Sequence, residues 1–133
     1  MSKTRRNFMI TIPGIVGAFS FTNKKSAKDK IGKFYHVVYF WLKEPENDKS
    51  KTQFLTSLNS FLDEVKEIKS RHVGNPASTR RPVIDSSYTF SLILSFDNKE
   101  DQDLYQDHPA HKRFIAESQD LWERVQVYDS IMI

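Results

Sequence analysis

The nine residues Phe34-Tyr35-His36-Val37-Val38-Tyr39-Phe40-Trp41-Leu42 are rich in β-branched and aromatic side chains, and a polar cluster containing Pro45 follows them. This composition and this boundary predict a β-strand over residues 34–42. Alternate residues of a strand lie on opposite faces of its sheet, and here both sets are apolar except for His36. A strand of this kind is covered on both faces, so the fold must supply a layer on each side of it.

Residues 51–69 follow a different periodicity. Apolar residues recur there at steps of three and four between charged and small polar residues: Phe54, Leu58, Phe61, Val65 and Ile68, with Leu55 and Leu62 widening the stripe. This pattern predicts an amphipathic helix that packs one face on a sheet.

Two further strands are predicted in the middle of the chain and one at its end. Residues 71–77 form a short strand that turns at Gly74-Asn75-Pro76, and residues 87–96 form a longer one with alternating Tyr88, Phe90, Leu92, Leu94 and Phe96. Residues 125–133 form the last strand.

Two helices are predicted between the third and the last strand. Asp97 or Asn98 caps a short helix that ends near Asp107. Pro109 is suited to the first position of the next helix, which runs to about Trp122. The residue before a proline is disfavoured in helical geometry, so His108 separates the two helices.

The resulting order, β-α-β-β-α-β, is that of a ferredoxin-like α+β domain with helices on one face of an antiparallel sheet. That arrangement leaves the other face of the first strand uncovered, although its residues are apolar. A second subunit would cover it, and two sheets packed face to face form a dimeric α/β barrel. We therefore expect a homodimer.

The candidate functional residues lie in the segment Tyr105-Gln106-Asp107-His108-Pro109-Ala110-His111-Lys112-Arg113-Phe114. His111 falls in the first turn of the predicted helix, where the helix dipole disfavours a protonated imidazole. A neutral His111 could act as a base, while Tyr105 could donate a hydrogen bond to a carbonyl. Alternatively, Tyr105 and His111 only brace the helix junction and His108 serves as a helix cap.

No metal or cofactor is expected. The chain has no cysteine, which excludes disulfides, thiolate nucleophiles and Cys-ligated metal sites. A metal site built from Asp107, His108 and His111 is only weakly indicated, because Pro109 interrupts the helical face that would align these side chains.

The charge distribution argues against nucleic acid as a partner. The net charge is +3, but Lys3, Arg5 and Arg6 account for all of the excess, since the remaining 17 basic residues match the 17 acidic ones. A nucleic-acid-binding protein would carry its basic excess on the folded domain.

Residues 1–21 are predicted to be an export signal. Thr4-Arg5-Arg6-Asn7-Phe8-Met9 is similar to the twin-arginine motif, and the mostly apolar run from Phe8 to Phe21 is shorter than a membrane span. Residues 22–33 are predicted to be a linker, and residues 34–133 the domain. We expect a periplasmic or cell-envelope protein with no membrane span in its mature form; an N-terminal arm is the alternative.

The domain resembles the stress-responsive A/B barrel (Dabb) family. The resemblance rests on five features: residues 36–42 of the first strand, the Gly74 turn, Tyr88-Thr89-Phe90 at the start of the third strand, Tyr105 with His108-Pro109-Ala110-His111 and Phe114, and Val127 with Asp129.

This resemblance implies a dimeric barrel with an interior that opens near His36. In the polyketide cyclases of the family, a Tyr and a His of this motif drive an aldol-type ring closure. Those roles would fall on Tyr105 and His111 as catalytic residues, with His36 lining the pocket. Phe90 replaces a pocket histidine of the cyclases, which argues against the same substrate.

The function expected from the sequence is binding of a small apolar or aromatic molecule inside the barrel. The candidate ligand-binding residues are His36, Phe40, Tyr88, Phe90 and His108. One alternative is a polyketide-cyclase-like lyase that uses Tyr105 and His111. Another is a monooxygenase, which rests only on the shared architecture of dimeric α/β barrels.

Overall fold

The computed structural model describes residues 32–133, so the predicted signal at residues 1–21 and most of the predicted linker lie outside the described residues. The last two linker residues already contact the domain. The backbone N–H of Gly32 donates to Ser95 Oγ at 3.1 Å, and the carbonyl of Lys33 accepts from Met132 N at 2.8 Å.

The described part of the chain forms four strands and three helices. In order these are β1 (Phe34–Leu42), α1 (Asp48–Glu64), β2 (Ser70–Gly74), β3 (Phe90–Phe96), α2 (Lys99–Asp107), α3 (Pro109–Ser118) and β4 (Trp122–Ile131), with a 3₁₀ turn at Gln119–Leu121 before β4. The strands pair antiparallel in the order β2-β3-β1-β4. The ferredoxin-like α+β fold is thereby confirmed.

Asparagine side chains cap the first two helices, and Asn98 is one of the two caps predicted for the second. The Asn47 side chain accepts a hydrogen bond from Ser50 N at 3.0 Å at the start of α1, and Asn98 accepts one from Asp101 N at 2.8 Å at the start of α2. Each bond satisfies a backbone N–H that the first helical turn leaves without a partner. His108 has extended backbone geometry (ψ 138°) and Pro109 opens α3, as predicted.

Five predicted elements have other bounds in the structure. The second strand spans Ser70–Gly74 rather than 71–77, and the last strand spans Trp122–Ile131 rather than 125–133. The first helix spans Asp48–Glu64 rather than 51–69, because the backbone of Val65 is extended (ψ 99°). Val65 and Ile68, the last two apolar residues of the predicted stripe, therefore lie beyond the end of the helix. The third strand begins at Phe90 rather than at residue 87. The last helix ends at Ser118, and Trp122 belongs to β4, where it pairs with Leu42.

The core lies between the sheet and the helices. The helix-facing side chains of β1 (Val38, Phe40 and Leu42) are buried there with the apolar stripe of α1. Phe54 of α1 stacks on Phe90 of β3 with ring centroids 5.3 Å apart, and Phe40 meets the Phe54 ring edge-on at 4.9 Å. Buried aromatic pairs of this kind fix α1 over the middle of the sheet.

The opposite face of the sheet has no covering layer within residues 32–133. Tyr39 lies on that face and packs against Tyr88 and Tyr128, with centroid distances of 4.8 and 6.4 Å. Arg124 sits 4.2 Å from the centre of the Trp41 ring on the same face. The aromatic residues of this face therefore stay partly exposed in a single chain, and Tyr128 is 60% exposed.

Candidate functional site

A cavity of about 180 Å³ opens between the helices α2 and α3 and the strands β1 and β4. Most of its wall is apolar, and the polar side chains gather at one end. Its lining comprises His36, Val38, Phe40, Leu92, Tyr105, Gln106, His111, Phe114, Ile115, Trp122, Val125 and Val127. Val125 and Val127 are 37% and 43% exposed, so the cavity is reached from the β4 edge of the sheet.

At the polar end, His36 forms a short hydrogen bond with Asp129. The register of β1 and β4 places the two residues directly opposite each other, and His36 Nδ1 lies 2.6 Å from Asp129 Oδ1. The His36 side chain is 7% exposed, while the Asp129 side chain is 45% exposed at the rim. An ionised carboxylate can only accept hydrogen bonds, so the hydrogen of this bond belongs to Nδ1.

Tyr105 is the most deeply buried polar residue of the cavity lining, at 2% exposure. Its ring packs between those of Phe61 and Phe96, each with its centroid 5.2 Å away, and it meets His36 edge-on at 5.4 Å. Burial, and then the negative charge of Asp129, raise the pKa of the Tyr105 phenol well above its ordinary value. The hydroxyl thus keeps its proton at neutral pH and can donate it in a hydrogen bond.

His111 lies beside Tyr105, with their ring centroids 5.3 Å apart, and it also contacts Phe61. Burial lowers the pKa of His111, and the positive charge that His36 carries when it is protonated lowers it further, against an opposing contribution from a backbone hydrogen bond at Gln106. His111 is in the first turn of α3, where the helix dipole acts in the same direction as burial. The imidazole of His111 is therefore neutral near pH 7.

His108 holds the junction of α2 and α3 and does not line the cavity. Its Nδ1 accepts a hydrogen bond from Ala110 N at 3.0 Å, and its backbone N–H donates to the carbonyl of Tyr105 at 3.2 Å. This capping role is the alternative predicted for His108 from the sequence. It orients Tyr105 and His111 towards each other across the Pro109 break.

The structure brings together four of the seven candidate site residues: Tyr105, His111, His36 and Phe40. The other three lie elsewhere. Phe90 is stacked on Phe54 in the core, Tyr88 packs on Tyr39 on the opposite face of the sheet, and His108 caps α3.

Asp129 is the site residue that the sequence argument left without a role. Its partnership with His36 spans 93 positions of sequence and depends on the register of two strands. One signal was available: His36 is the single polar residue on its face of β1, and a buried polar residue requires a partner. An acidic residue on the last strand was a natural candidate for that partner.

Residues 32–133 contain neither a metal-binding cluster nor a membrane-spanning helix. No group of three or more His, Cys, Asp or Glu side chains in this range is arranged to hold a metal ion. None of the helices in this range is long and apolar enough to cross a membrane.

Comparison with known proteins places the chain in a family. The model of the stress responsive A/B barrel domain matches residues 34–132. The chain belongs to this family. Among curated proteins, none matches the chain.

Solved structures with the same fold are similar to the chain at low sequence identity. A Dabb family protein from Mesorhizobium loti is 22% identical, with 75% of this chain and 96% of that chain covered and a TM-score of 0.63. A dimeric ferredoxin-like protein of unknown function from Thermobifida fusca is 18% identical (74% and 90% covered, TM-score 0.62). A hydroxynitrile lyase from Passiflora edulis is 19% identical (75% and 93% covered, TM-score 0.62). At these identities the likeness establishes the fold.

Proposed function

We propose that this member of the stress responsive A/B barrel family binds a small, mainly apolar or aromatic molecule in the cavity between the sheet and helices α2 and α3. The observation that carries the proposal is that the cavity has a mostly apolar wall and a small polar end. Most of the lining is aliphatic and aromatic, whereas the rings of His36, Tyr105 and His111 contact one another in series. Small-molecule sites typically combine an apolar wall with a few polar groups that orient the ligand.

The size of the cavity supports a ligand of about one ring. It measures about 180 Å³, and a dry apolar cavity of about 150 Å³ is known to accommodate benzene. Phe114 and Trp122 contribute ring faces to the wall, with centroids 5.8 Å apart. Such rings suit a planar apolar ligand.

Binding can be tested by titrating toluene into the protein and following it by ligand-observed NMR. Val127→Trp should abolish the saturable signal, because the larger side chain fills the cavity from the β4 edge. Ile131→Trp is the matched control, since Ile131 is exposed on the same strand and outside the cavity lining. If wild type shows no saturable binding, or if both variants bind as wild type does, the cavity is not the site.

A second candidate function is a lyase that transfers a proton at carbon. The favouring observation is the contact between a neutral His111 and a protonated Tyr105, at a centroid distance of 5.3 Å. His111 would remove a proton from the carbon next to a carbonyl, and Tyr105 would donate a hydrogen bond to the enolate oxygen that develops. The hydroxynitrile lyase from Passiflora edulis shows that a protein of this fold can carry a lyase activity.

The lyase candidate predicts exchange of α-hydrogens for deuterium in a bound aryl ketone such as acetophenone in D₂O. Tyr105→Phe and His111→Gln should each abolish the enzyme-dependent exchange. His72→Gln should retain it, because His72 is exposed on β2 and outside the cavity. Exchange that is absent in wild type, or unchanged in both site variants, counts against the lyase. The monooxygenase alternative stays a prediction that rests on architecture.

We further propose that the chain forms a homodimer through the uncovered face of its sheet. Partly exposed aromatic residues on that face, Tyr39, Trp41 and Tyr128 among them, would be buried by a second copy. The protein from Thermobifida fusca that has a similar fold is dimeric, which supports the proposal. Export remains a proposal from the sequence pattern at residues 1–21. Its test is the N-terminal mass of protein recovered from the envelope fraction of the source cell, and the full-length mass would contradict it.

A further inference from the structure

The hydrogen bond between His36 and Asp129 has a chemical consequence for the cavity. Neutral imidazole carries one hydrogen, on either Nδ1 or Nε2, and the hydrogen bond made by one nitrogen determines the role of the other. Asp129 Oδ1 accepts the hydrogen bond that His36 Nδ1–H donates. The described residues provide a hydrogen-bond partner for Nδ1 only, and the ring lines the cavity.

We propose that Asp129 is a positioning residue that fixes the Nδ1–H tautomer of His36, and that the ligand is a neutral phenol or enol whose hydroxyl donates to His36 Nε2. This inference rests on the binding function proposed above and names the chemical class of the ligand. Asp129 itself lies at the rim and is absent from the cavity lining, so it acts through His36.

Tyr105 would supply the second hydrogen bond to the ligand hydroxyl. Its hydroxyl keeps its proton because burial and the charge of Asp129 raise its pKa. Beside the neutral ring of His111, the polar end of the cavity therefore offers an acceptor, His36 Nε2, and a donor, the Tyr105 hydroxyl. A hydroxyl group on the ligand matches both, since it donates one hydrogen bond and accepts another.

The alternatives for the ligand are less well matched. An ether or a ketone can accept from Tyr105 but leaves Nε2 without a donor. A buried acceptor without a partner costs free energy, so such ligands would bind less tightly. A carboxylate would add a second negative charge beside Asp129 in a mostly apolar cavity, which is unfavourable.

The tautomer can be measured without any ligand. Long-range ¹H–¹⁵N NMR spectra distinguish a protonated Nδ1 from a protonated Nε2, and the chain has only four histidines to assign. We expect the Nδ1–H form for His36 in wild type and its loss in Asp129→Ala. Glu123→Ala, which removes an exposed carboxylate from the same strand, is the matched control and should leave the spectrum of His36 unchanged. An Nε2–H form or a ring protonated on both nitrogens in wild type overturns the inference, whatever the cavity binds.

The ligand class is tested with para-cresol and 4-methylanisole. The second compound is the methyl ether of the first, so it lacks the hydroxyl hydrogen that would be donated to His36. Toluene is the reference without oxygen. We expect the affinity ratio of para-cresol to 4-methylanisole to fall about tenfold from wild type to Asp129→Ala, the size of one net hydrogen bond. Toluene should bind both proteins equally, because it makes no polar contact.

The outcomes separate this inference from the binding function on which it rests. If toluene binds but the ratio is the same in wild type and Asp129→Ala, binding stands and the inference fails. If none of the three probes binds to wild type, the binding function fails and the inference with it. A fall in the ratio that also occurs in Glu123→Ala overturns the inference, since the effect would then not pass through His36.

Discussion

The substitutions Tyr105→Phe and Tyr105→Ala separate a functional hydroxyl from a structural ring. The ring is 2% exposed and packs against Phe61, Phe96 and the two histidines of the cavity, all with centroids between 5.2 and 5.4 Å away. Truncating a buried aromatic ring to alanine costs about 3–5 kcal/mol. In a domain of this size that lowers Tm by more than about 12 °C, taking about 4–8 °C per kcal/mol.

Tyr105→Phe keeps the whole ring and removes only the hydroxyl. If that hydroxyl faces a ligand, its removal should cost the free protein under about 1 kcal/mol, because no partner within the protein loses a strong hydrogen bond. The affinity for para-cresol should nevertheless fall about three- to tenfold, since one hydrogen bond to the ligand is lost.

The assay is thermal unfolding at a fixed protein concentration, because dimer formation makes Tm depend on concentration. It is combined with titration of para-cresol into folded Tyr105→Phe. A loss of more than about 2 kcal/mol in Tyr105→Phe, together with unchanged affinity, would show that the hydroxyl braces the helix junction. The proposed role of Tyr105 in binding would then be refuted.

Three further predictions concern the dimer, the pH dependence and the ionisation of Tyr105. Tyr39→Lys, which places a charge on the uncovered face, should give a folded monomer in light scattering at micromolar concentration; a dimer of unchanged stability would exclude that face as the interface. Burial lowers the pKa of His111 below the ordinary 6.5, so the unfolded chain binds more protons than the folded protein does near that pH. The free energy of unfolding should therefore fall as the pH drops from about 7.5 through 6.5. His111→Gln should lessen this fall in Tm while His72→Gln should not, and equal curves for all three proteins would contradict the assignment. In ultraviolet titration the most alkaline phenolate step should disappear in Tyr105→Phe, because burial raises the pKa of Tyr105; its persistence would assign that step to another tyrosine.

The sequence predicts the fold because its signals are local. Strand β1 was predicted with its observed bounds, Phe34–Leu42, from composition and the polar cluster that follows. The break between α2 and α3 was predicted from Pro109, whose effect on the preceding residue is a matter of backbone sterics. In each case the information lies within a few residues of the element.

The sequence is less informative where the position of a residue depends on a distant partner. Trp122 was assigned to a helix, and it lies instead in β4 because it pairs with Leu42, 80 residues earlier in the chain. Tyr88, a candidate ligand-binding residue, precedes the start of β3 and packs on Tyr39 on the uncovered face of the sheet. Asp129 received no role because its contact with His36 exists only in one register of β1 and β4. Register is set by the burial of a whole face of the sheet.

Strand β1 contributes residues to both proposed functions, ligand binding on one face of the sheet and dimerisation on the other. Its even-numbered residues, from Phe34 to Leu42, face the helices and the cavity, whereas Tyr39 and its odd-numbered neighbours face the uncovered side. Because side chains alternate strictly along a strand, a substitution on one face leaves the side chains of the other face in place. Dimerisation and ligand binding should therefore respond to different substitutions in the same nine residues. Tyr39→Lys should dissociate the dimer with the Nδ1–H tautomer of His36 intact, since the hydrogen bond to Asp129 lies wholly within one chain.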